Sequence, residues 1–133
     1  MINIPNWVIK YATMNEKINR KTLLMNLIDL KMEKAALNIL KNKHINYNKI
    51  DGFGYSALFR AILANMDELS SELLKKNDID YNLKDRFGYT ILMFSILERM
   101  NELSLELLKM KDIDYNSINS DNDSALILSC KIK

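Results

Sequence analysis

Few residues of this chain have the types and spacing that bond chemistry requires. Of its 133 residues only one is a histidine, His44, and only one is a cysteine, Cys130. His44 has no cysteine or second histidine near it in sequence, and a single cysteine forms no disulfide within the chain. The sequence also lacks a phosphate-binding glycine loop and the G-x-S-x-G nucleophile motif. We therefore predict neither an enzyme nor a bound cofactor.

One group of oxygen-bearing side chains imitates a metal site. Asp112, Asp114 and Asn116 have the spacing of the first ligands of a calcium-binding loop. However, Ser117 stands where that loop needs glycine, and Asp123 stands where it needs a bidentate glutamate. We expect no metal site.

Several aromatic side chains suit binding better than catalysis. Phe53 and Tyr55 stand in a short glycine-containing segment, and Phe87 and Tyr89 stand in a second one 34 residues later, beside Arg86. Tyrosine, phenylalanine and arginine are enriched in protein–protein interfaces. Two interpretations stay open: these side chains contact a partner, or Phe53 and Phe87 pack along adjacent loops as a structural ladder.

The aromatic residues recur because the chain repeats itself. Residues 51–84 and 85–118 are identical at 20 of 34 positions. The same offset extends upstream over 17–50 and downstream over 119–133, where only the first part of a unit is matched. Repeats of this length are typical of stacked helical arrays, in which each unit buries its apolar face against its neighbour.

Each unit predicts two short antiparallel helices followed by an extended loop, which we call the finger. In the unit that begins at Asp51, Ser56 is a suitable cap for a helix over 57–64, and a second helix should start near Asp67. Residues 79–82 alternate as an extended stretch that leads to Asp85, Phe87 and Gly88, and Gly88 suits the tight turn of the same finger. The expected fold class is all-α.

The residues of this unit resemble the ankyrin repeat. The matching positions are Asp51, Gly54, Ser56, Leu58, Ala61, Leu73, Leu74, Asp80 and Asn82, and in the next copy Asp85, Gly88, Thr90, Leu92, Leu107, Leu108, Asp114 and Asn116. The resemblance covers 17–133 and implies a solenoid of stacked antiparallel helix pairs with finger loops. Its parts would be three full repeats (17–50, 51–84 and 85–118), a C-terminal half repeat (119–133) and an N-terminal capping helix within 1–16.

The chain departs from the family pattern at two positions of each unit. The motif proline is replaced by Leu23, Ala57, Ile91 and Ala125. The glycine between the two helices is replaced by Lys31, Asn65 and Arg99, of which only asparagine adopts a left-handed backbone at low cost. We therefore expect a less stable array than one built from consensus repeats.

The resemblance implies protein–protein recognition through the finger tips and the concave face formed by the first helices. The residues that it points to are Phe53, Tyr55, Arg86, Phe87 and Tyr89 on the fingers and Arg60, Phe94 and Glu98 on or near the first helices. The alternative is a structural or adaptor segment of a longer ankyrin-repeat protein, with no ligand of its own.

The two ends of the chain differ from the repeats. Pro5 can open a helix whose apolar side includes Trp7, Val8 and Tyr11, and we expect this helix to cover the first repeat with Trp7 as the central plug. A membrane-surface helix is the weaker interpretation, because basic anchors are few. At the other end, a first helix without its second helix predicts exposed apolar surface and weak self-association.

Charge and composition indicate the class of partner and the location. Residues 1–50 hold nine lysines and arginines against three acids, whereas residues 51–133 hold ten against fourteen. No clustered basic run indicates a nucleic-acid partner. Because the chain lacks a membrane-length apolar run and a signal peptide, and Cys130 is a lone thiol, we expect an intracellular, cytoplasmic protein. Such arrays resemble those of large DNA viruses and intracellular bacteria, for which the cytoplasm would be the host's.

Overall fold

The computed structural model describes residues 4–42 and 44–132, and its regular structure is helical. Over these residues the only β pairing is one isolated antiparallel bridge between Lys84 and Thr90. The prediction of an all-α chain is therefore confirmed. The described helices are α1 (Asn6–Asn19), α2 (Leu23–Asp29), α3 (Glu33–Leu40), α4 (Ala57–Leu63), α5 (Asp67–Leu74), α6 (Ile91–Leu97), α7 (Asn101–Leu108) and α8 (Ala125–Lys131).

The helices after α1 form two parallel rows. Helices α2, α4, α6 and α8 pack on one another in that order, and α3, α5 and α7 form the second row. Each of α2, α4 and α6 also packs against the helix that follows it, and α1 packs on α2. Consecutive members of a row begin 34 residues apart. The sequence repeat is therefore also a repeat of helix positions.

A capping hydroxyl begins every helix of the first row. The hydroxyl oxygen accepts a hydrogen bond from the backbone N–H three residues later, at 3.2–3.3 Å. This bond satisfies a donor that has no partner within the helix, which explains why the predicted helix starts agree with the structure. The capping residues are Thr22, Ser56, Thr90 and Ser124.

The turns between paired helices are left-handed. Lys31, Asn65 and Arg99 have φ angles of 61°, 56° and 59°. In each turn the next N–H donates to a carbonyl five residues earlier, for example Met32 to Leu27 at 2.9 Å, which is the pattern of a Schellman C-cap. The left-handed backbone costs free energy at lysine and arginine, because their Cβ crowds the following carbonyl.

The N-terminal helix does not pack as predicted. Trp7 is 60% exposed and is not a plug, whereas Val8 and Ala12 are buried against α2. Asn15 adds a 2.7 Å hydrogen bond from its Nδ2 to Oδ1 of Asn26 in α2. Since consecutive helical residues differ by about 100° in direction, burying Val8 turns Trp7 away from the interface. The helix also continues to Asn19, past the predicted segment 1–16.

Apolar surface is exposed where the first row ends. Leu58 and Leu92 are 0% and 1% exposed, but their equivalent in α8, Leu126, is 73% exposed. The difference arises because α4 and α6 are each followed by another helix of the row, while the described residues place no helix beyond α8. In the described part of the chain, no helix has the length and apolar character needed to cross a membrane.

Candidate protein-binding surface

An aspartate organises the turn of each of the two aromatic fingers. Oδ1 of Asp51 accepts hydrogen bonds from the backbone N–H groups of Phe53 (2.9 Å) and Tyr55 (3.1 Å). Asp85 does the same for Phe87 and Tyr89, at 2.9 Å each. Both fingers therefore have the same backbone geometry, and their aromatic side chains start from equivalent places.

The last finger shows that this turn does not require a charge. Asn119 stands where the other fingers have aspartate, and its Oδ1 accepts from the N–H groups of Asp121 (2.9 Å) and Asp123 (3.0 Å). An amide oxygen thus replaces a carboxylate oxygen in the same pair of hydrogen bonds. The negative charge of Asp51 and Asp85 is therefore not needed to form the turn.

The ring contacts of the fingers form a row that joins two units. Tyr55 lies 4.8 Å from Phe59, Phe59 lies 5.2 Å from Phe94, and Phe94 lies 5.1 Å from Tyr89, measured between ring centroids. Tyr55, Tyr89 and Phe94 are half-buried against the core. These three predicted site residues therefore pack against the core with one part of their side chain and are accessible with the other.

Phe53 and Phe87 lie outside this row. They are 46% and 55% exposed, and the described residues show no ring contact between them. The structural ladder therefore runs through the tyrosines and not through these phenylalanines. Two large apolar rings exposed on neighbouring fingers are available for contact with another molecule.

Arg60 is bound within its own chain. Its Nε and Nη2 lie 2.6 and 2.5 Å from Oδ2 of Asp51, whose side chain is 0% exposed, and its Nη1 lies 3.3 Å from Oδ1 of Asp29. The guanidinium carbon is 5.9 Å from the ring centroid of Phe53 and 5.4 Å from that of Tyr55. Sequence reasoning placed Arg60 near the binding face but missed this pairing. The sequence holds an acid and a base nine residues apart, but helix propensity and capping preferences do not predict which charged residues pair across that separation.

The remaining predicted residues are accessible. Arg86 is exposed and has no described hydrogen bond or ion pair. Glu98, also exposed, accepts a 3.1 Å hydrogen bond from Nδ2 of Asn65 and so links the helix turns of two units. The structure therefore brings Arg86 and Phe87 together on one exposed finger.

Two asparagines hold neighbouring fingers in place, a role that sequence reasoning missed. Asn82 donates from Nδ2 to the carbonyl of Asp112 at 2.7 Å and accepts from the N–H of Asp114 at 2.8 Å. Asn48 makes the equivalent pair one unit earlier, with the carbonyl of Asp78 at 2.6 Å and the N–H of Asp80 at 2.9 Å. Because each amide bridges two units, the fingers form a connected row rather than independent loops.

One carboxylate of the last finger, that of Asp114, has a lowered pKa. The hydroxyl of Ser117 donates to Asp114 and, with the backbone N–H groups of Ser117 and Asn116 and the charge of Lys84, lowers the pKa of the Asp114 carboxyl against the effect of burial. Because folding lowers the pKa of this carboxyl, its ionised form stabilises the folded state at pH values above the pKa that it has in the unfolded chain. This stabilisation is lost as the pH falls through the pKa of the folded state.

Comparisons with known proteins assign neither a family nor a function to this surface. Within the described residues, no three His, Cys, Asp or Glu side chains lie together as a metal-binding group. A scan against family models finds no match, and a search of curated proteins finds no matching relative.

Proposed function

We propose that this chain is an ankyrin-like solenoid that binds a partner protein through its finger tips and the adjoining concave face of its first helices. The observation that carries the proposal is the pair of exposed rings, Phe53 and Phe87, on fingers spaced by one repeat. Phenylalanine with an adjacent arginine, here Arg86, is a composition that favours interface centres.

The rigidity of the fingers supports the same proposal. Asp51 and Asp85 fix the turn backbones, and Asn48 and Asn82 bind each finger to its neighbour. A surface that is already ordered loses little conformational entropy on binding, so more of the contact energy appears as affinity.

The proposed contact residues have unequal roles. Phe53, Phe87 and Arg86 would contact the partner directly, and Glu98 would contribute a charge at the edge of the surface. Tyr55, Tyr89 and Phe94 would present a partly buried floor. Arg60 forms an ion pair with Asp51 and would position the first finger instead of contacting the partner directly.

The test is partner enrichment with the intact chain and with a Phe53→Ala/Phe87→Ala variant. Because both rings are exposed, the variant should keep its helicity by circular dichroism while losing captured protein. Leu105→Ala is the matched control, since Leu105 is 58% exposed on α7, away from the fingers.

The outcome also decides between the two functional interpretations. Equal capture by the double variant and the unchanged chain would contradict binding through the fingers. That result would favour the structural or adaptor segment, whose contacts would lie at the ends of the helix rows.

A further inference from the structure

The first aromatic finger binds an arginine of its own chain. The guanidinium of Arg60 meets Oδ2 of Asp51 through two nitrogens and lies beside the rings of Phe53 and Tyr55. An acid with two flanking rings is a favourable environment for a guanidinium, because its planar fork donates to the carboxylate while its faces contact the aromatic rings.

The second finger repeats this set without the arginine. Asp85, Phe87 and Tyr89 stand where the first finger has Asp51, Phe53 and Tyr55, but Phe94 replaces Arg60. The ring of Phe94 lies against Tyr89. Phe94 has no group to donate to Asp85 and instead adds a third ring to the surroundings.

Asp85 is left with an unpaired oxygen. The residue is 8% exposed, its Oδ1 accepts the two finger N–H groups, and its Oδ2 has no hydrogen-bond or ionic partner among the described contacts. In the described part of the chain, the buried side-chain atoms without a hydrogen-bond partner are Oγ of Ser70 and Nδ2 of Asn119, so Oδ2 of Asp85 reaches solvent and is open to an approaching cation. Asn119 makes the same turn without a charge, so the turn itself does not explain why an acid is present.

Deepening the proposed function, and resting on it, we propose that Asp85, Phe87 and Tyr89 receive an arginine side chain of the partner protein. That guanidinium would donate to Oδ2 of Asp85 and lie between the exposed ring of Phe87 and the half-buried ring of Tyr89, as Arg60 does in the first finger. Lysine fits less well, because an ammonium has neither the planar fork nor the stacking face. Arg86, the adjacent cation, makes no described contact with Asp85 and leaves the site open.

The proposal can be tested without knowing the partner. N-acetyl-arginine amide is titrated into isotope-labelled protein, and the backbone amide resonances are followed by NMR. The N–H groups of Phe87 and Tyr89 donate to Asp85 and should shift, with a Kd on the order of millimolar for so small a probe. Those of Phe53 and Tyr55 should stay in place, because Arg60 already occupies Asp51.

Three variants follow from the repeat itself. Asp85→Asn should keep the fold, as Asn119 indicates, and weaken probe binding about tenfold or more. Phe94→Arg should fill the site from within and abolish the probe shifts. Arg60→Phe should open the first finger, so that Phe53 and Tyr55 begin to respond to the probe. A spectrum with native dispersion verifies folding for each variant.

Several results would overturn the proposal. One is the absence of shifts at Phe87 and Tyr89 at the solubility limit of the probe. Equal shifts with the amide of citrulline, which is uncharged, would exclude the ionic contact, and equal shifts with the lysine amide would exclude arginine as the preferred occupant. Unchanged binding by Asp85→Asn would also refute it. None of these results would decide the partner-capture test with Phe53→Ala/Phe87→Ala, so the two proposals can fail separately.

Discussion

Arg60 in α4 donates from Nε to Oδ2 of Asp51 at 2.6 Å, which joins a first helix to the finger that precedes it. The Asp51 side chain is fully buried and that of Arg60 is 15% exposed. Removing one partner of such a pair leaves the other charge without compensation. The pair is therefore important for stability and for the shape of the first finger.

Arg60→Ala should destabilise the chain by about 2–3 kcal/mol, somewhat below a fully buried pair because Arg60 retains some solvent contact. Urea unfolding followed by circular dichroism measures the change. Lys75→Ala is the control, since the Lys75–Glu72 pair is exposed and its loss should produce no measurable change. Equal stability of the two variants would contradict the stabilising role of Arg60.

Leu58→Ala and Leu126→Ala remove the same side chain from equivalent positions. Leu58 is buried and Leu126 is 73% exposed. We expect a loss of about 3 kcal/mol for Leu58→Ala and of less than about 0.5 kcal/mol for Leu126→Ala. Thermal and urea unfolding compare them directly. Similar losses at both positions would contradict the serial packing of the first row.

Lys31→Gly should stabilise the chain by about 1 kcal/mol, because glycine adopts the left-handed turn without the Cβ penalty. Asn65→Gly is the comparison, and its effect should be smaller since asparagine already tolerates this backbone. The midpoint of urea unfolding gives both values. A destabilised Lys31→Gly variant would show that its side chain contributes more than the backbone costs.

Asn82→Ala should cost about 1–2 kcal/mol, because two hydrogen bonds between units are lost and the backbone groups of Asp112 and Asp114 lose their partner. The matched control is Asn116→Ala, one repeat later, whose side chain makes no described hydrogen bond. Hydrogen exchange should show faster exchange of the Asp114 amide in the Asn82 variant alone. Unaltered exchange there would refute the bridging role.

Weak self-association through the exposed face of α8 remains a prediction. Static light scattering across a concentration series should show an apparent mass that rises with concentration, and Leu126→Glu should suppress the rise by placing a charge in the contact. Ile18→Glu, at the opposite end and also on an exposed side chain, is the control. A strictly monomeric unchanged chain would dispose of the idea.

Features that depend on neighbours in sequence were predictable. Ser56 was predicted to cap a helix, and Asp67 to start the next, because capping and turn formation involve residues only a few positions apart. The packing of α1 was not predictable in this way. Trp7 and Val8 are both apolar, and the choice between them depends on which side of α1 faces α2, the side on which Ala12 is also buried.

The sequence by itself determined the 34-residue period, the helix starts and the order of helix pairs, because these follow from local hydrogen bonding and from apolar residues at helical spacing. Only the tertiary structure decided how each side chain is used. Arg60 and Phe94 hold the same place in their units, yet Arg60 forms an ion pair with Asp51 whereas Phe94 offers Asp85 no basic partner. The reason is that burial and charge pairing depend on distances between segments, which a one-dimensional pattern does not contain.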